Sequence, residues 1–169
     1  MIASVRKFVF VACCLTLSAC DGPLPFLSGG ELNGVVAEVP VNWQLEEISG
    51  LAQLETRPAE PYSVNLAYVQ MDGSFYFYAG DTRTNWVKHI EENPLVRVRV
   101  NDTIYPGRAV RVTDEDEIAR FAAIWVDRSM FSRDPHSFEE VWLYRLEARE
   151  GLTTDVGSAV SHGAMIARE

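Results

Sequence analysis

Short β-type runs, one brief helix between two of them and one longer helix before the last predict a mainly β (α+β) chain. The expected fold is a six- to seven-stranded antiparallel β-barrel with one short and one longer helix at its openings. Three observations carry this. Two aromatic and β-branched runs, Tyr62 to Met71 and Ser74 to Tyr78, are separated by Asp72 and Gly73 alone, the pair that a two-residue type I′ hairpin requires. Val96, Val98 and Val100 alternate with Arg97 and Arg99, which gives a strand one apolar and one polar face. Glu140 to Ala148 carries apolar groups at both parities around Arg145, as a strand covered on both sides does.

The elements follow in chain order. Arg6 and Lys7 precede an apolar run, Phe8 to Leu17, too short to cross a bilayer, so residues 1–19 read as a signal peptide. That run ends in Leu17, Ser18, Ala19 and Cys20, which resembles the bacterial lipobox. The resemblance implies cleavage before Cys20 and lipidation of Cys20, and Asp21 beside it favours the inner membrane. Residues 20–31, with two of the prolines and several glycines, are expected to be a lipidated Cys and flexible tether. The body is placed at residues 32–149. Gly34 to Val41 is expected as a first strand bounded by Pro40, and Leu51 to Thr56 as a weaker second. The hairpin of Tyr62 to Met71 and Ser74 to Tyr78 comes next.

Then Gly80 frees the backbone, Thr82 or Thr84 can cap a short helix from about Asn85, and Trp86 and Ile90 share one face at i, i+4 spacing. Asn93 and Pro94 end that helix and start the strand Leu95 to Val100. Asn101 and Asp102 turn the chain into Ile104 to Val112, where Pro106 and Gly107 suggest an edge or a bulge. Thr113 is expected to cap the longer helix, with Asp114 to Glu117 at its positive end and Ile118, Phe121, Ala122 and Trp125 as its core stripe. A loop from Arg128 to Ser137 leads to the final strand, and residues 150–169 are expected as a loose C-terminal tail.

Charge and cysteine usage bound the function. The chain carries a net charge of −9, and loss of Arg6 and Lys7 with the signal takes two more positive charges, to about −11. That excludes a nucleic-acid partner. With Lys88 the one lysine beyond the signal, membrane attachment falls to acyl chains and not to a polybasic patch. The cysteines are Cys13, Cys14 and Cys20, so the body folds without a disulfide, and about 150 residues suffice for a core that stands alone. His89, His136 and His162 lack the close pairing of metal sites, so no metal is expected. No Gly-x-Ser-x-Gly elbow or free thiol offers a nucleophile.

The stretch from Phe75 to Arg99 resembles the FMN-binding split-barrel superfamily of pyridoxamine 5′-phosphate oxidase and the deazaflavin-dependent nitroreductases. In those families a strand ends in an aromatic pair, a polar loop touches the cofactor phosphate, a short helix sends a Trp or Leu inward, and Asn-Pro opens the next strand. Here Phe77 and Tyr78 lead to Thr82, Arg83 and Thr84, then Trp86 and Ile90, then Asn93 and Pro94. The resemblance implies a split β-barrel, FMN or a deazaflavin as cofactor, Thr82, Arg83, Thr84 and Trp86 as cofactor-binding residues, oxidoreductase chemistry and a homodimer. Its departures imply weak phosphate binding. The loop has Thr82-Arg83-Thr84 where the oxidases carry Ser-Arg-Lys, Ser63 to Gln70 holds neither Arg nor Lys, and the Gly-Arg-Lys-Ser-Gly loop of the deazaflavin enzymes is missing.

Each residue has a plainer alternative. Arg83 can be a solvated charge or a partner of Asp81, and Trp86 can be core. Arg97 and Arg99 can pair with acids on the barrel exterior and not line a groove with Arg108 or Arg111. Two functions stand side by side: a membrane-anchored, periplasm-facing flavin-type oxidoreductase, and a cofactor-free binding or envelope-assembly module.

Overall fold

The computed structural model describes residues 22–24, 27–128 and 132–149. Cys20 and residues 150–169 lie outside them, as do the signal peptide and the lipobox. The described elements are β1 (Val35–Val36), β2 (Ser49–Thr56), β3 (Tyr62–Met71), β4 (Ser74–Tyr78), α1 (Asn85–Glu92), β5 (Leu95–Val100), β6 (Thr103–Arg111), α2 (Glu115–Asp127), a single 3₁₀ turn (Pro135–Ser137) and β7 (Leu143–Ala148).

Six strands close a barrel in the order β2, β3, β4, β7, β6, β5 and back to β2, every pair antiparallel. β1 adds a seventh, parallel to the start of β6. This is the predicted split-barrel class, and the register explains the alternating sequence. Val96, Val98 and Val100 point inward with Ala52, Leu54, Leu66 and Tyr68, while Glu55 pairs with Arg97 and Gln53 with Arg99 on the outer face. Asp72 and Gly73 take φ of 50° and 72°, the left-handed angles of a type I′ turn.

β6 changes partners along its length. Thr103 and Ile104 pair with β1, and Gly107 to Arg111 with β7. Pro106, which has no N–H to donate, falls in the interval between the two. A Cβ at Gly107 would come within 2.6 Å of Leu146 Cδ1 and 2.8 Å of the Glu147 carbonyl, so only glycine permits that close approach of β6 and β7.

Two expectations of the sequence are corrected. The first strand is two residues long and not Gly34 to Val41. Beyond Ala37, whose N–H bonds the Ile104 carbonyl, the chain leaves the sheet and crosses a barrel mouth. There Val39 and Trp43 bury themselves, Trp43 against Phe75 and Tyr105, and this contact outcompetes further pairing. Asp114, not Thr113, caps α2: its carboxylate accepts the Glu117 N–H at 2.8 Å. β2, read as the weaker strand, is central, bonded to β3 over eight pairs and also to β5.

The core has two parts. The barrel interior holds Trp43, Leu54, Phe75, Phe77, Trp86, Val98, Trp142 and Tyr144 among others. α2 covers the outside of β3, β4 and β7, where Phe121 packs with Val69, Met71, Tyr76 and Leu143. A polar latch holds it there, because Glu117 accepts from Tyr76 Oη at 2.7 Å and from Arg145 at 2.5 Å.

Residues 22–24 and 27–36 run across the outer face of β3, β2 and β5. Asn65 Nδ2 donates to the carbonyls of Pro23 (3.3 Å) and Leu24 (2.8 Å), and Gly29 exchanges two 2.9 Å backbone bonds with Ser63. Glu55, only 3% exposed, accepts the Leu32 N–H at 2.5 Å and both of its oxygens lie 3.0 Å from Arg97. Arg97 also donates to the Leu32 carbonyl and Arg99 to that of Asn33. Residues 22–24 and 27–31 of the stretch expected as a tether thus sit against the barrel.

Candidate functional site

The residues 79–84 join β4 to α1. Gly80, at φ 72°, turns the chain, and β7 holds the loop's base: the Ala79 N–H bonds the Trp142 carbonyl at 3.0 Å, and the Trp142 N–H bonds the Gly80 carbonyl at 3.1 Å. Thr84 occupies the position before α1, but its hydroxyl makes no cap bond, so the positive end of α1 is left without a side-chain acceptor.

Of the four residues singled out, Thr82, Arg83 and Thr84 lie together on this loop, and Trp86 stands apart. Thr82 Oγ1 donates to Asp81 at 3.2 Å. Arg83 is exposed and its Nε bonds Glu91, in the last turn of α1, at 2.7 Å, not Asp81. Its pKa is raised by that bond, so it is a fixed positive charge beside the loop. Trp86 is buried in the barrel end with its ring 5.8 Å from both Phe77 and Tyr144, where it plugs the barrel.

On the outer side of the loop lies a cavity of about 390 Å³, within the range of small-molecule sites. Its walls are Tyr78, Ala79, Gly80, Asp81, Trp125, Arg133 and Phe138. Trp125 meets Tyr78 edge-on at 5.1 Å and stacks on Phe121. The Tyr78 hydroxyl is buried without a hydrogen-bond partner among the described residues. Burial, then the charges of Asp81 and Asp134, push its pKa up to about 12, so it is a neutral donor.

On the inner side, the hydroxyls of Thr84 and Tyr144 and the indole N–H of Trp142 are likewise buried and unpartnered among the described residues. Burial pushes the Tyr144 pKa up to about 12 against the pull of Arg111. Arg111 lies 3.8 Å over the Trp142 ring and pairs with Glu140 at 3.2 Å. One corner of the molecule therefore joins an aromatic-walled cavity, an uncapped helix start and two arginines. Tyr78 and Thr82 to Trp86 were legible as one motif. Trp125, Arg133, Phe138, Trp142 and Tyr144 come from distant parts of the chain, and no local pattern joins them to the loop.

Arg97, Arg99 and Arg108 do not join this corner. Arg97 and Arg99 are on the outer face across the barrel, engaged as above, and Arg108 faces outward on β6. Among the described residues no cluster of metal-binding side chains occurs, and no helix is long and apolar enough to cross a membrane.

No family model matches the chain, and no curated protein does. Solved structures do. An F420-H2-dependent reductase is similar over 57% of this chain and 93% of its own, at 16% identity and TM-score 0.49. General Stress Protein 26 from Bacillus anthracis is similar over 58% and 78%, at 22% identity and TM-score 0.44. A FAD-binding protein from Mesorhizobium loti is similar over 59% and 79%, at 15% identity and TM-score 0.43. These likenesses concern fold alone, and the fold assignment rests on the strand order and closure of the chain itself.

Proposed function

We propose that this chain is a lipid-anchored protein of the bacterial cell envelope whose split barrel faces the periplasm and binds a flavin-type cofactor, FMN or a deazaflavin, weakly at the loop between β4 and α1. The observation that carries this is the aromatic cavity of Tyr78, Trp125 and Phe138 directly continuous along the chain with Thr82, Arg83 and Thr84. An apolar ring system and a phosphate need those two environments side by side. The fit is partial. The loop, the bare start of α1 and Arg83 suit an anion, whereas Trp86 is committed to packing and the phosphate seat has no lysine.

When bound, such a cofactor supplies hydride or electron transfer. The chain's residues bind and orient it. Arg83 holds the phosphate end, Tyr78 offers a neutral hydroxyl donor, and Trp125 and Phe138 exclude water from the ring. The anchor rests on Leu17 to Cys20, and retention at the inner membrane on Asp21.

A second reading has its own observation. Glu91 already neutralises Arg83, which favours a cofactor-free binding or envelope-assembly module. The deciding experiment is titration of the soluble chain starting after Cys20 with FMN, FAD and deazaflavin, followed by flavin absorbance and calorimetry. Binding weakened by Trp125→Ala supports the cofactor site, and no heat with any of the three supports the module. Fatty-acid labelling of wild type but not of Cys20→Ser tests the anchor.

A further inference from the structure

Resting on the lipidation of Cys20 just proposed, we propose that the anchor seats the barrel directly on the bilayer. The outer face of β2 and β3 that bears Leu24, Leu27 and Leu51 is then turned to the lipid headgroups.

Pro23 is buried and its carbonyl is fixed by Asn65, whose own oxygen accepts from Gln53 at 3.1 Å. Only Asp21 and Gly22 separate that fixed point from Cys20, and three Cα steps span about 10 Å at most. Gly22 itself lies beside the Gln53 side chain. A barrel on so short a leash cannot stand away from the membrane, and the surface nearest the leash must face it.

That surface is apolar where this requires it. Leu27 N–H bonds the Leu24 carbonyl at 3.2 Å, which brings the two leucines together, Leu27 exposed by 65% and Leu24 by 48%. Leu51, 75% exposed, is paired with Ala67 on the same outer face, two pairs along from the Gln53–Asn65 pair. Exposed leucines grouped around an anchor are surface that lipid can cover.

Charge points the same way. Arg99 lies opposite Gln53 in register on this face. The acidic start of α2, Asp114 to Glu117, lies over β4 and β7, where Glu117 meets Tyr76 and Arg145, and only the other end of the helix reaches β2, through Arg128 and Gly50. For a strongly acidic protein near anionic lipid, repulsion turns that acidic side outward and leaves the leucine side inward.

The test uses the full lipidated protein in vesicles of phosphatidylethanolamine and phosphatidylglycerol, with a quencher on the headgroups. A fluorophore is placed on Leu27→Cys or, at the acidic start of α2, on Asp116→Cys. The expected result is quenching several-fold stronger at residue 27 than at residue 116, lost when a long Gly-Ser linker is inserted between Asp21 and Gly22. Equal quenching at both positions in vesicle-bound protein overturns the docking and leaves lipidation intact. Energy transfer between Leu27 positions of different copies, without lipid quenching, overturns it in favour of self-association. Wild type that floats with vesicles no more than Cys20→Ser overturns both the anchor and the docking.

Discussion

Tyr144 shows how a single residue links the core to the site. Its ring stacks on Phe77 and meets Trp86, while its hydroxyl has no partner among the described residues. A buried orphan hydroxyl carries its desolvation cost unrelieved, so Tyr144→Phe is expected to be neutral or to stabilise the free protein by up to about 1 kcal/mol. Thermal or urea unfolding checks this, and clear destabilisation would mean that the hydroxyl is bonded. Glu55 is the opposite case. Its side chain is 4% exposed and held by Arg97 and the Leu32 N–H, so Arg97→Met, which strands the carboxylate, should cost about 3 kcal/mol. The sequence showed Arg97 as an outward charge, but not that its partner sits on β2. Their sequence separation of 42 residues hides a pairing that only barrel register creates.

At the scale of elements, α1 is a plug first and a ligand platform second. Trp86, Val87 and Ile90 are its buried residues, so Trp86→Ala should cost about 3–5 kcal/mol. His89 couples the same helix to β2, its Nδ1 3.0 Å from Thr56 Oγ1 and its ring edge-on to Tyr62. Burial, then Arg57, lowers its pKa below the usual 6.5, with Lys88 adding to this and Glu92 opposing it. A folded-state pKa below the unfolded one means that the unfolded chain takes the proton first. The contribution is therefore complete above the unfolded value of 6.5 and is lost as pH falls through the folded value. Urea unfolding at pH 7 and pH 5 should show wild type losing more stability than His89→Gln, and parallel losses would remove His89 from the account. The hairpin of β3 and β4 was legible because its two turn residues alone dictate it. Gly73→Ala there should cost about 1–2 kcal/mol, because φ is 72° and the new Cβ would strike Asn42. β1 was misjudged because valine content signals extended chain, and extended chain can cross a barrel mouth as well as enter a sheet.

For the whole molecule, residues 22–149 contain no cysteine, so the barrel is held by closure and by the two-part core. Its unfolding midpoint should be unchanged by reductant, and a marked fall would contradict that. The fold was legible because period-two alternation and an Asp-Gly turn are local signals. The site was only half legible. The loop Thr82 to Thr84 lies within one motif, whereas Trp125 and Phe138 reach the cavity by the packing of α2 and the segment after it, which no local pattern states. Glu91 was missed as the partner of Arg83 because it lies eight residues on, in the last turn of α1, and only a side chain reaching along the helix joins the two. The central claim is that an aromatic cavity and a phosphate seat act together at this loop. The most direct measurement compares FMN with riboflavin, which lacks the phosphate, in wild type and in Arg83→Ala. FMN should bind about tenfold or more tightly than riboflavin in wild type, the worth of one charge-assisted bond, with that ratio falling to near one in Arg83→Ala. Equal affinities for FMN and riboflavin in wild type, or a ratio unchanged by Arg83→Ala, would contradict it.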